Sequence, residues 1–314
     1  MTALNPLVSI LVITYNQEDL IFETVESCLR QTYENLEIVV SDDGSTDRTP
    51  ELLREIQRRN PEKVRLVLNR ENGGITANSN AGLAACSGEF IALMGGDDLL
   101  LPTKIASQVD AFQADLGLVL SYHPCHVMRN GELRELVGNR PKDIVEDLVD
   151  MIGNFGAQMP GPATMVRANA IHADGFNIEI GTASDWMFFI DVSSHGQVRR
   201  IDETLAIYRQ HGGNVGERYF SYSDNFIKTL ELADRRYGDL PRVAGAVRKG
   251  GRRFLLGITY RAMELNERTL ARSYAKQLSR YAPPGFASAV LLLTWIPGVS
   301  AVFAALKSRL KRYV

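Results

Sequence analysis

Two aspartate pairs stand directly after apolar runs: Asp97-Asp98, behind Gly95-Gly96 and the run 90–94, and Asp42-Asp43, behind Ser41 and the run 36–40. Glycines leave the backbone bare, so a carboxylate that follows them can approach a ligand closely. A carboxylate pair suits a hard divalent cation, Mn2+ or Mg2+, which takes one or two protein oxygens and fills its shell with water and phosphate. The same pair is equally an Asp-Asp turn that caps the next helix. Asp42-Asp43-Gly44-Ser45-Thr46-Asp47 divides in the same way. Its carboxylates can accept from a base N–H and a ribose hydroxyl, or the segment is a turn in which Ser45 or Thr46 caps a helix. Tyr15, after a third apolar run, offers a flat face on which a base can stack. None of these features is decisive alone.

The elements that must carry them read clearly. A β-branched apolar run over 7–13 is followed by amphipathic helical spacing over 18–31, and the alternation repeats. Strands are predicted over 36–40, 64–68, 90–94 and 117–122, and helices over 47–59, 75–85 and 102–114. Strands apolar on both faces and separated by helices imply an α/β fold with a mostly parallel central sheet flanked by helices. In such sheets ligands sit beyond the carboxyl ends of the strands. The residues there are Thr14-Tyr15-Asn16, the 41–45 loop, Asn69 to Gly74, and Gly95 to Asp98, so four polar loops can converge on one pocket.

Bulk properties narrow the classes. With 45% hydrophobic and 23% charged residues, the 314-residue chain has enough apolar content for a large core. A net charge of −2 gives no reason to expect a nucleic-acid surface. The three cysteines, Cys28, Cys86 and Cys125, form no metal-ligand spacing and no disulfide framework, which suits a reducing, cytoplasmic setting. The N-terminus has no signal-peptide pattern and runs straight into a strand. The turn after the first strand has no GxGxxG and no P-loop lysine pattern occurs, which removes a Rossmann dehydrogenase and an NTPase.

Taken in order, the segments Val8 to Asn16, Ser27-Cys28-Leu29-Arg30-Gln31-Thr32-Tyr33, Glu37 to Asp47, Asn72-Gly73-Gly74-Ile75, Asn80-Ala81-Gly82-Leu83, Ser87 to Ile91 and Asp97-Asp98 resemble glycosyltransferase family 2, over roughly residues 7–215. The resemblance implies a GT-A fold and an inverting transfer of sugar from a nucleotide-diphosphate sugar to an acceptor hydroxyl, with Mn2+ or Mg2+ as cofactor. It implies a donor-binding set of Thr14, Tyr15, Asn16, Asp42, Asp43, Ser45, Asn80, Asp98 and Arg209. Asp97 matches the last carboxylate of the family's metal-binding DxD motif. Thr182-Ala183-Ser184-Asp185-Trp186 resembles the segment that supplies the catalytic base, Asp185. Tyr208 to Asn214 resembles the closing loop, whose His211 joins the metal. Two positions depart from the pattern: Gly95 replaces the first acidic residue of the DxD, and Ser79 stands where a basic residue is common.

The implied organisation is a catalytic domain over 1–217, with its nucleotide half about 1–122 and its acceptor half about 123–217. A helical extension over 218–282 and an apolar, basic-flanked tail over 283–314 follow. Gly250-Gly251 reads as a helix break and Pro283-Pro284-Gly285 as a linker. The uncharged stretch 286–306, interrupted by Pro297-Gly298 and ended by Lys307, Arg309, Lys311 and Arg312, reads as a kinked interfacial hairpin drawn to anionic lipid. A buried packing or dimerisation helix is its rival. The expected partners are a nucleotide-sugar donor and a glycan or lipid-linked glycan acceptor, at the cytoplasmic side of a membrane. Two other functions fit the same fold: a polyprenyl-phosphate sugar synthase, and a non-catalytic nucleotide-sugar-binding module.

Overall fold

The computed structural model describes residues 5–137, 145–154, 159–211, 220–296 and 298. In chain order the first elements are β1 (Val8–Thr14), α1 (Ile21–Leu29), β2 (Leu36–Asp42), α2 (Thr49–Arg59), β3 (Val64–Leu68), α3 (Ile75–Leu83), β4 (Phe90–Gly95), β5 (Leu99–Leu100), α4 (Lys104–Ala114) and β6 (Leu118–Tyr122). The alternation read from the sequence is therefore present. Then come β7 (Cys125–Arg129), β8 (Glu132–Val137), β9 (Val145–Glu146), α5 (Leu148–Gly153), β10 (Met165–Arg167), α6 (Asp185–Ser193), β11 (Gln197–Arg200) and β12 (Ala206–Gln210). The helices α7 (Ser223–Tyr237), α8 (Val243–Glu264), α9 (Arg268–Gln277) and α10 (Pro284–Leu293) complete the described chain.

Eight strands form the main sheet in the order β3-β2-β1-β4-β10-β6-β11-β9. The β3-β2-β1-β4 half is parallel, while β10 lies antiparallel between β4 and β6. Both faces of the parallel half are covered: Ile10, Leu11, Val12, Ile38, Val39 and Val40 are all essentially without solvent contact. That is why these strands read as continuous apolar runs and not as alternation. Helix α1 lays down Ile21, Val25 and Cys28, and α4 lays down Ile105, Val109 and Phe112, each at three- to four-residue spacing. The Phe112 ring stacks on Phe90 of β4 at 4.6 Å.

A smaller sheet, β5-β12-β7-β8, was not legible in the sequence. Its pairing of β5 with β12 sets Leu99 opposite Ile207 and Leu100 opposite Ala206. The Asp97-Asp98 turn is thereby carried to Tyr208 and Arg209, more than a hundred residues away in sequence.

Contacts divide the chain into two units, 1–151 with 156–229, and 152–155 with 230–314. In the second, two sequence expectations are corrected. Helix α8 runs unbroken through Gly250-Gly251. A Cβ on Gly250 would strike the Ile152 carbonyl oxygen and one on Gly251 the Tyr281 ring, so the pair permits close packing and does not break the helix. Pro284 is not a linker residue but the first residue of α10, where a missing N–H costs nothing. Of the apolar stretch 286–306, α10 occupies the start, and residues 297 and 299–314 lie outside the described set. No described helix is long and apolar enough to cross a membrane.

Candidate active site

The loops at the carboxyl ends of β1 and β2 are tied to each other before any ligand is considered. Asn16 sits in the left-handed region at φ 50°, its amide oxygen accepting from the Thr46 N–H at 2.8 Å while its own N–H donates to Ser45 Oγ at 2.8 Å. Ser45 in turn donates to Asp42 Oδ1 through its hydroxyl and to Asp42 Oδ2 through its N–H at 3.0 Å. Ser45 and Thr46 are thus spent on the loop. The N-terminus of α2 receives Asp47 instead, whose Oδ1 accepts from the Thr49 N–H at 2.9 Å, correcting the expected cap. Gly44 has φ 68°, and a Cβ there would lie 2.7 Å from the Glu71 carbonyl carbon. Both the turn and its contact with the loop after β3 therefore require glycine.

Asp43, one residue on, is buried and faces a different way. Its two oxygens accept from the N–H groups of Gly73 and Gly74 at 2.9 and 3.0 Å. Behind it Asn78 of α3 joins three strand ends: its Oδ1 accepts from Ser41 Oγ and Asn69 Nδ2, and its Nδ2 donates to the Ser41 carbonyl at 3.0 Å and the Thr14 carbonyl at 3.4 Å.

At the end of β4, Gly96 lies against Thr14 and Gln17, where a Cβ would sit 2.8 Å from Thr14 Oγ1. A Cβ on Gly95 would lie 2.5 Å from Asp97 Oδ1, so the bare position beside Asp97 leaves that carboxylate its room. Asp97 Oδ2 is 2.9 Å from His211 Nε2. Asp98 turns inward and its Oδ1 accepts the Arg209 N–H at 3.0 Å. Burial first, and the neighbouring Asp97 carboxylate second, hold Asp98 well above the usual carboxylate range. This pair does not cap a helix: β5 intervenes before α4 begins at Lys104.

Asp185 opens α6, its Oδ1 accepting from the Trp186 N–H at 2.8 Å. Burial pushes its carboxyl up to about 6. The approach to α6 is held to α3, because Thr76 Oγ1 donates to the Gly181 carbonyl at 2.8 Å and lies 3.3 Å from Ser184 Oγ.

A cavity of about 690 Å3 joins these features, a size ordinary for a small-molecule site. Of the residues named from sequence, Thr14, Tyr15, Asn16, Asp43, Asp97, Asp98, Asp185 and His211 line it. Asp42, Ser45, Asn80 and Arg209 do not. Asp42 and Ser45 close their own turn. Asn80 makes a reciprocal pair with the Phe176 backbone, accepting its N–H and donating to its carbonyl, both at 2.8 Å. Two positions on a helix differ by about 200°, so Asn78 faces the strand ends and Asn80 cannot. Arg209 directs its guanidinium to Glu23.

Several lining residues were missed from sequence: Gln17, Met159, Phe176, Thr182, Phe189, Tyr208 and Tyr222. Gln17, adjoining the Thr14-Tyr15-Asn16 segment, and Thr182 and Tyr208, inside the segments around Asp185 and His211, carried a signal in their position. Met159, Phe176, Phe189 and Tyr222 arrive from distant parts of the chain, where an apolar or aromatic side chain reads as core.

A cavity at the carboxyl ends of parallel strands, with carboxylates set among apolar side chains, fits a GT-A glycosyltransferase fold. The sequence profile of Glycosyl transferase family 2 matches residues 9–157. An uncharacterized glycosyltransferase of Haemophilus influenzae is 31% identical over 246 residues, 74% of each chain. The chain belongs to glycosyltransferase family 2 and is a transferase. It is also 30% identical over 245 residues to chondroitin synthase of Escherichia coli, covering 75% of this chain but 34% of that one. Among solved structures, the mannosyltransferase PcManGT from Pyrobaculum calidifontis, in complex with GDP-Man and Mn2+, superposes with a TM-score of 0.60 at 18% identity. That superposition covers 96% of this chain and 80% of the other, and it bears on fold alone.

Proposed function

We propose that the cavity binds a nucleotide-diphosphate sugar and that the protein transfers the sugar, with inversion, to a hydroxyl of a glycan or lipid-linked glycan acceptor. The observation that carries this reading is that Asp185 and the Asp97/His211 pair line one cavity beside Tyr15 and Asp43.

The donor set on the nucleotide side is Thr14, Tyr15 and Asn16 with Asp43. Tyr15 is 44% exposed, which leaves its ring free to stack on a base. Asp42, Ser45, Asn80 and Arg209 support this set by holding its loops. The residues fit a divalent cation: Asp97 and His211 hold a carboxylate oxygen and an imidazole nitrogen 2.9 Å apart at the cavity, and no group of three such ligands occurs among the described residues. Two protein ligands leave coordination sites for phosphate oxygens, as Mn2+ and Mg2+ require. When bound, the cation would neutralise charge on the diphosphate leaving group. A nucleotide sugar and Mn2+ in PcManGT support both assignments.

Asp185 takes the proton of the acceptor hydroxyl. The acceptor oxygen forms its bond to the anomeric carbon as the bond from that carbon to the diphosphate breaks, and the nucleoside diphosphate leaves. A single displacement inverts the anomeric centre. A carboxyl near 6 is mostly ionised at neutral pH yet basic enough to accept the proton. Cell-surface polysaccharide or glycolipid is the proposed product class, supported by the relationship to chondroitin synthase.

The test is calorimetry with UDP, GDP and dTDP and their sugars, with and without Mn2+, on the wild type and Asp97→Ala, followed by turnover assays. Metal-dependent binding of one donor, lost in the variant, is expected; no binding to any donor would sink the proposal. Transfer to a polyprenyl phosphate in place of a glycan would reassign the acceptor.

A further inference from the structure

In the second unit, α10 is apolar around almost its whole circumference, yet of its residues only Ala287 is buried. Phe286, Leu292, Trp295 and Ile296 are exposed, Leu292 to 66% and Trp295 to 60%. A helix apolar on every side normally sits inside a core or against lipid. Charge says what covers this one. From 268 to 314 the chain has eight Lys and Arg and no Asp or Glu, and Arg268, Lys276 and Arg280 on and after α9 are exposed. Over 230–314 the excess of basic over acidic residues is 11, whereas 1–229 carries an excess of 13 acidic ones. A second copy packing this same face would bring the same positive charge to it and be repelled. An anionic surface would be attracted. The Arg272 guanidinium lies 3.8 Å from the Trp295 ring centroid, an apolar body beside a cation, which is the pairing found where a bilayer meets water.

We infer that α10 docks a bilayer of anionic phospholipid, lying in its interface with Phe286, Leu292, Trp295 and Ile296 among the acyl chains and the basic residues of α9 among the headgroups. Its ten residues span about 15 Å, half of the roughly 30 Å hydrocarbon core, so the helix lies on the membrane and does not cross it. The inference rests on the second unit and is independent of the transferase reading.

The chain provides its own probe. It has two tryptophans, and Trp186 is fully buried, so a lipid-induced change in emission reports Trp295. Full-length protein is mixed with vesicles of phosphatidylcholine alone or with phosphatidylglycerol, including brominated acyl chains. Expected are a blue shift and bromine quenching with phosphatidylglycerol only, both weakened by salt. Leu292→Glu/Trp295→Glu should lower co-sedimentation by roughly tenfold or more. Arg268→Gln and Lys276→Gln should lower it by about fivefold each. Melting curves check that each variant folds, and Trp295→Phe, which keeps the apolar face, should still sediment with vesicles. Unshifted, unquenched emission with anionic vesicles would overturn the inference. So would a Leu292→Glu/Trp295→Glu protein that changes only its oligomeric state by light scattering.

Discussion

The loops after β2 and β4 each carry two adjacent aspartates, and the protein uses them in opposite ways. After β2, all four carboxylate oxygens can be traced to the protein itself: Asp42 closes a turn with Ser45, and Asp43 clamps the N–H groups of Gly73 and Gly74. After β4, Asp98 accepts the Arg209 N–H while Asp97 meets the His211 imidazole, and both line the cavity. The same dipeptide is therefore fixed by its own turn and the Gly73-Gly74 turn in one loop, with Asp43 still lining the cavity, and meets groups brought by and beyond β12 in the other. What differs is what meets each carboxylate: a Gly-Gly turn offers two N–H groups to Asp43, whereas the edge of β12 offers one to Asp98 and an imidazole reaches Asp97.

A third carboxylate, Asp185, has neither role. Asp185→Asn should lower kcat by roughly 10^2–10^4-fold with donor binding retained, measured by turnover and calorimetry. Because burial raises its folded pKa to about 6, Asp185 destabilises the fold increasingly as pH rises from the unfolded value near 3.8 through 6. Asp185→Asn should then be more stable than the wild type at neutral pH, by on the order of 1–3 kcal/mol, and equal to it below about pH 4. A variant that loses both activity and stability would make Asp185 a structural residue.

Asp97→Ala should lower metal-dependent turnover by about 10^2–10^3-fold, with a smaller cost in stability than Asp43→Ala because its partner His211 is partly exposed. Asp43→Ala should weaken donor binding and also destabilise the fold. Loss of a carboxylate that accepts two backbone N–H groups is expected to cost about 2–4 kcal/mol in chemical denaturation. If Asp97→Ala unfolded the protein and Asp43→Ala did not, the two loops would have exchanged roles. Below pH 6 the wild-type kcat should fall about tenfold per unit as Asp185 takes up its proton, and lie flat above it. The smallest effect is expected at Asn80→Ala, about 1–2 kcal/mol of stability from two hydrogen bonds to Phe176 with a modest rise in KM.

Legibility in the sequence followed chain distance. Strand β3 begins and ends where its run does, and α1, α2 and α4 differ from expectation only in their first residues or last turn, because each element's apolar spacing is written in neighbouring residues. The segments after β1, β2 and β4 could be named as a site because a parallel sheet places consecutive strand ends together. Within those segments, which oxygen faces the ligand was not legible. Asn80 was chosen where Asn78 makes the strand contacts, since a two-residue step on a helix reverses the facing side. Ser45 and Thr46 were read as caps because their types permit it, but a left-handed Asn16 from another loop claimed them.

Sequence alone thus determined the layered α/β architecture, the family and the carboxylates from which the site is drawn, since periodic burial and local turn chemistry are written in neighbouring residues. Tertiary structure alone decided that β5 pairs with β12 and brings His211 to Asp97, that Phe189 and Tyr222 wall the cavity, and that Gly250-Gly251 packs rather than breaks a helix. Those outcomes depend on which distant backbone arrives within a few ångströms, and close packing is a property of the assembled chain, not of any segment of it.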